Sequence, residues 1–158
     1  MNGHAPVELA SRRDYIGLRH LADFKASEWL REHKEVQGLV PAALRDTLHE
    51  RRLAAFFSDL ESVLEQTWRV LRPSGHALLV IADNSVGGHR IRSHQALVDL
   101  ARSKGFVEIH RKPRLIASVR RRFPIGTFGF DGPMTHEHVV VLRKPKGRTG
   151  STRPRVTE

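Results

Sequence analysis

The chain has 158 residues, 39% of them hydrophobic and 28% charged, enough for one globular domain and too few for a second large one. It has no cysteine, which excludes a disulfide framework and any thiolate metal site. Its 27 Lys and Arg against 17 Asp and Glu leave a formal charge of +10, which favours a polyanionic partner, nucleic acid before a membrane surface. The longest apolar run, Ala77 to Ala82, is far shorter than the roughly 20 residues of a membrane span, and no basic-then-apolar leader opens the chain, so a soluble, cytoplasmic protein is expected.

Residues 1–13 read as an irregular lead-in. From Asp14 to about Arg31, Leu18, Leu21, Ala22, Trp29 and Leu30 recur at helical steps, and Gly38 and Pro41 break the pattern. A longer helix is expected from Pro41 or Ala42 to Leu71. Phe56, Leu60, Val63 and Leu64 share one of its faces, and Phe57, Trp68, Val70 and Leu71 widen that face enough to imply burial against a sheet. Pro73 and Gly75 end it. Ala77–Leu78–Leu79–Val80–Ile81–Ala82 then lacks polar alternation, as a strand covered on both faces of a parallel sheet would.

The segment Asp83 to Gly88 reads as a turn. Ser93 can cap a helix carrying Ala96, Leu97, Leu100 and Ala101, and Gly105 sits where a left-handed C-terminal residue belongs. Phe106 to Ile109 is a further strand, which Leu115 to Val119 could continue or pair with. Pro124 to Pro133 is a loop, and His138 to Leu142 a last strand. Strand, helix, strand is the crossover unit of an α/β fold. Residues 145–158 read as a basic, disordered tail.

One stretch carries a family resemblance. Arg69–Val70–Leu71–Arg72–Pro73–Ser74–Gly75, leading into an apolar strand, resembles the Arg-Val-Leu-Lys/Arg-Pro-Gly-Gly turn before the fifth strand of class I S-adenosylmethionine-dependent methyltransferases. The nearest group is the DNA methylases that modify exocyclic amino groups, adenine N6 or cytosine N4. Asp83–Asn84–Ser85 with Gly87–Gly88 resembles that group's Gly-Asp-Ser-like turn, Lys104–Gly105–Phe106 its helix end, Glu137 to Lys144 its closing antiparallel strand, and Asp14–Tyr15 the segment after its catalytic loop. The resemblance covers residues 14–144 and is strongest from Phe56 to Phe106. It implies an α/β fold, the C-terminal half of a Rossmann-like methyltransferase sheet with parallel strands and a closing antiparallel strand. It also implies S-adenosylmethionine as cofactor and DNA as acceptor.

Two motifs of the group are missing. No strand is followed by the glycine-rich Phe-x-Gly-x-Gly turn that binds the cofactor, and Gly87–Gly88 follows the wrong strand to replace it. The Asp/Asn/Ser-Pro-Pro-Tyr/Phe loop, whose polar groups accept hydrogen bonds from the target amine while its ring stacks on a flipped base, is absent as well. Ser11–Arg12–Arg13–Asp14–Tyr15 lacks both prolines. The expectation is a truncated or split methylase that is inactive alone; in the split case a partner chain would supply the missing strands along an exposed sheet edge. The alternative is a non-catalytic basic module that binds nucleic acid.

Asp83, Asn84 and Ser85 are the candidate cofactor-binding or target-lining residues, because they follow the carboxyl end of a strand, where open α/β sheets take ligands. An ordinary turn with Asp and Asn bonding their own backbone is the plainer reading. Arg111, Lys112, Arg114, Arg120, Arg121 and Arg122 place six cations in twelve residues, and with Phe123 beside them they can hold phosphate and stack a base; a solvated basic edge would look the same. The cations from Arg143 and Lys144 through Lys146, Arg148, Arg153 and Arg155 add only sequence-blind affinity. His136 and His138 share a face of an extended segment but lack a third ligand at recognisable spacing, so no metal site is expected. His89 and His94 read as surface residues, Trp29 and Trp68 as core. No catalytic residue is assigned, since no nucleophilic triad is visible.

Overall fold

The computed structural model describes residues 24–116 and 136–146. Helix α1 (Ala26–Glu32), the single turn α2 (Lys34–Gln37) and a 3-10 turn at Ala42–Leu44 precede the long helix α3 (Leu48–Val70). Strand β1 (His76–Ala82), the short strands β2 (Asn84–Val86) and β3 (His89–Ile91), helix α4 (Ser93–Ser103), β4 (Val107–Leu115) and β5 (His136–Arg143) follow. The part of the first expected helix before residue 24 lies outside the described residues. Phe24 and Lys25 are not helical, so the helix that holds Trp29 and Leu30 begins at Ala26.

Helix α3 starts later than the proline at 41 suggests, because Thr47 caps it. The Thr47 hydroxyl oxygen accepts from the backbone N–H of His49 at 3.1 Å and of Glu50 at 3.4 Å. Glu50, three residues after the cap, turns back to accept from the Asp46 N–H at 2.7 Å, which explains why a glutamate is buried there. Its apolar face does not lie mainly on a sheet. Leu53, Phe57, Leu60 and Leu64 are buried, α3 packs chiefly against α1 and α4, and Val63 and Val70 remain exposed.

The helix-to-strand turn follows its sequence signature. Ser74 takes a positive φ of 65°, and a Cβ on Gly75 would stand 2.8 Å from the Arg72 carbonyl oxygen. The backbone of this turn pairs with Lys144 in both directions, Ser74 N–H to Lys144 O at 2.9 Å and Lys144 N–H to Gly75 O at 3.0 Å. The Lys144 ammonium donates to the carbonyls of Trp68 (2.7 Å) and Leu71 (2.9 Å) and lies 4.9 Å above the Trp68 ring. Lys144 is therefore a cap for α3, and Arg143 closes β5. Neither is a tail cation.

The sheet corrects the sequence reading. Its order is β1-β5-β4, and both pairings are antiparallel, so no parallel pair exists among the described residues. The antiparallel strand expected to close the sheet is inserted between the other two. Because β1 and β4 each oppose β5, they share a direction, as a crossover through α4 requires, yet they never touch as a ladder. The apolar run of β1 is also not covered on both faces: Ala77, Leu79 and Ile81 pack against the core, while Leu78 is 66% and Val80 48% exposed. Pro113 is tolerated within β4 because, among the described residues, β4 pairs on one side only.

The supposed turn at 83–88 is a hairpin. Gly87 and Gly88 both take positive φ (58° and 77°), the pattern of a type I′ connection, and β2 pairs with β3 across it. At the end of α4, Gly105 at φ 92° lets the Phe106 N–H return to the Ala101 carbonyl at 3.0 Å. Phe106 packs edge-on to Trp68.

A polar clasp ties three helices together. The Lys104 ammonium is 2.6 Å from both Glu61 and Glu65, and the His33 ring, stacked on Trp29, reaches Glu61 at 3.1 Å. Burial alone would raise the Glu61 carboxyl, but hydrogen bonds from Lys104 and His33 outweigh it and hold it below its ordinary value. A depressed carboxylate stabilises the fold above its unfolded-state pKa, and that contribution disappears as pH falls through the depressed value. In acid titrations followed by circular dichroism, Glu61→Gln is therefore expected to unfold more readily than the parent at neutral pH, with the difference closing below the carboxylate range.

Candidate site at the carboxyl end of the first strand

Asp83 follows β1 directly, and three further elements, β3, α4 and β5, bring groups to its carboxylate. Its side chain is only 6% exposed. Oδ1 accepts from the His94 ring Nδ1 at 2.5 Å and from the His94 backbone N–H at 3.4 Å, while Oδ2 accepts from Arg90 at 3.2 Å and lies 4.0 Å from His138 Nε2. The rings of His94 and His138 stack, centroids 3.7 Å apart and planes within 14°.

This geometry explains how α4 begins. Ser93 is its first helical residue, and the cap position, Arg92, makes no side-chain cap bond. The Ser93 hydroxyl is buried without a partner among the described residues, so it is not the cap expected from sequence. The Asp83 carboxylate satisfies a terminal N–H instead, and its negative charge faces the positive end of the helix. Burial pushes the Asp83 carboxyl up, but hydrogen bonds and charge from His94 outweigh it and hold it below its ordinary value. For His138, burial comes first, then the adjacent His94, and both push the ring down; Asp83 opposes them, while Arg111 and Arg90 add to the lowering.

The three sequence candidates separate here. Asp83 is engaged by His94 and Arg90. Asn84 and Ser85 lie half-buried in β2, paired in register with Ile91 and Arg90. His94 is not a surface residue: its side chain is 15% exposed, because its ring is held by Asp83 and covered by His138. Sequence spacing could not show this, since the stacked rings are 44 positions apart.

The basic cluster divides as well. Arg111, opposite Val140 on the helix-covered face, binds Glu108 at 3.0 Å and Gln95 at 2.8 Å. Arg114 binds Glu137 across the strands at 2.8 Å. Lys112 is exposed, with no acidic partner among the described residues. Arg120, Arg121 and Arg122 lie outside the described residues.

S-adenosylmethionine does not fit the described residues. The Asp83 carboxylate is occupied, and Gly87 lies against other residues: a Cβ there would meet Leu44 at 2.9 Å and His49 at 3.3 Å. Gly87 serves the hairpin and, packed against Leu44 and His49, offers no open cradle for a nucleoside.

No family model and no curated protein matches the chain. Among solved structures, it resembles a protein of Thermus thermophilus described provisionally as a DNA modification methylase. The selenomethionine form aligns with TM-score 0.49 and 24% identity over 66% of this chain and 43% of that one. The form complexed with S-adenosyl-L-methionine gives 0.48 and 22% over the same shares. The aligned part thus spans less than half of that protein's length. No helix among the described residues is long and apolar enough to cross a membrane.

Loss of Asp83 removes a cap and a charged hydrogen bond together. Asp83→Ala is expected to cost about 2 kcal/mol or more in urea unfolding at pH 7. The deficit should shrink at pH values below the depressed Asp83 pKa, where the parent carboxyl is protonated too.

Proposed function

We propose that residues 14–144 are a methyltransferase-like unit of the DNA amino-methylase group that lacks a methyl-donor site of its own and does not transfer methyl groups alone. One observation carries the reading. The helix, Pro-Ser-Gly reversal and apolar strand that resemble the group occur in order with the backbone geometry that the motif's residues call for, Ser74 left-handed and Gly75 too close to a carbonyl for any side chain. Two codirectional strands joined through α4, with an antiparallel strand between them, support it further. The intact activity would be methyl transfer to an amino group of adenine or cytosine. Calorimetry of the chain with S-adenosylmethionine should show no binding; tight binding would overturn the absence of a donor site.

The exposed side of β1 supports a partner chain. Among the described residues β1 is paired on one edge only, and Leu78 and Val80 face outward. A partner completing the sheet would cover apolar surface and satisfy unpaired backbone groups. Leu78→Lys should abolish its co-purification without unfolding the chain, because that side chain is already in solvent.

The charge of +10 favours a second reading, a cytoplasmic nucleic-acid-binding module. In this reading Lys112 and Arg114 contact phosphate, and Arg120, Arg121 and Arg122 extend the contact. Duplex affinity should fall linearly in a log-log salt series, with the slope reduced by about one on Lys112→Ala and no effect of S-adenosylmethionine.

A further inference from the structure

We propose that Asp83, His94 and His138 bind a divalent transition-metal ion of the zinc class. This rests on the side-chain cluster and not on the methylase reading. The three residues come from the end of β1, the first turn of α4 and the start of β5, and one donor atom from each lies within 4.8 Å of the others. The side chains are 6%, 15% and 14% exposed, so the ion would be shielded on most sides yet reachable from solvent.

Donor chemistry selects the ion. Two imidazoles and one carboxylate suit zinc or cobalt(II), whereas magnesium and calcium prefer oxygen-only shells. Metal–ligand lengths of about 2.0–2.2 Å at tetrahedral angles place neighbouring donors roughly 3.3 Å apart. His94 Nδ1 and Asp83 Oδ1 are 2.5 Å apart across a shared proton, so the ion would replace that proton and open the pair by under an ångström or so. Stacked rings aim their nitrogens side by side, so binding would require the His138 ring to swing out of the stack until Nε2 points at the ion.

Two nearby cations oppose the ion. Arg90, bound to Asp83 Oδ2, has a side chain 73% exposed and can move into water. Arg111 already has its charge balanced by Glu108 and is held by Gln95. With both accounted for, the carboxylate and the two nitrogen donors remain. Three protein ligands leave a position for water or an incoming group, the arrangement of exchanging rather than closed zinc sites. That position lies at the strand end where open α/β sheets take ligands.

The test uses the full chain at neutral pH, titrated with zinc by calorimetry and with cobalt(II) by visible absorption. One equivalent of zinc should bind, cobalt should give the intense visible bands of a tetrahedral site, and zinc should raise the melting temperature. His138→Gln should weaken zinc at least about tenfold, since even loss of an outer hydrogen-bond partner typically costs that much. His94→Gln should do the same, with far-UV circular dichroism reporting whether α4 persists. Unchanged affinity in folded His138→Gln would assign the ion to other histidines of the ten and overturn the proposal. Absence of zinc binding, or equal competition by magnesium, would overturn it too.

Discussion

Strand β5 is the constraint on which the rest of the structure depends. Among the described residues it alone is paired on both edges, and its ladders bring Ala77–Ala82 and Val107–Leu115 into one sheet although neither strand touches the other. Val140 and Leu142, both wholly buried, are the centre of that sheet's inner face, and α4 closes over them with Leu97 and Leu100. Without β5, the two codirectional strands would each be an isolated ribbon under one helix, and isolated strands are not stable in water.

The polar junction at Asp83 follows from this placement. Inserting β5 antiparallel brings its first residues to the end of β1, so His138 arrives where Asp83 and the start of α4 meet. A carboxylate there without partners would be costly. Here it receives a backbone donor, an imidazole and a guanidinium, and so serves as a joint between strand, hairpin and helix. Cap and joint are one side chain, which ties the start of α4 to the strand order.

The sequence made some of this legible. Pro73 and Gly75 announced the end of α3, Gly105 the left-handed residue after α4, and Ala77 to Ala82 a strand, because each depends on local sterics or hydrophobicity. The direction of pairing was hidden, since an apolar run says that a strand is present and nothing about its neighbour. The start of α3 is set by Thr47 and Glu50 and not by Pro41, because side-chain oxygens that bond the first N–H groups decide where a helix begins. Asp83 to Gly88 read as a turn because its polar residues masked the Gly87–Gly88 hairpin signal. Of the candidate site, Asp83 was visible as the residue following a strand. His94 and His138 were not, because their contact depends on where β5 lies and leaves no mark at fixed spacing.

Lys144 and Asp83 mark the two ends of β1. Lys144 is tied to Gly75 at the beginning of β1, whereas Asp83 stands at that strand's far end, and seven residues of extended backbone separate the two poles by about 20 Å. The Lys144 ammonium, seated on the last carbonyls of α3, is therefore at the pole opposite the aspartate. The two polar joints, a lysine on the closing carbonyls of one helix and an aspartate on the opening N–H of another, thus stand at opposite ends of a single strand, and loss of either would loosen a different helix.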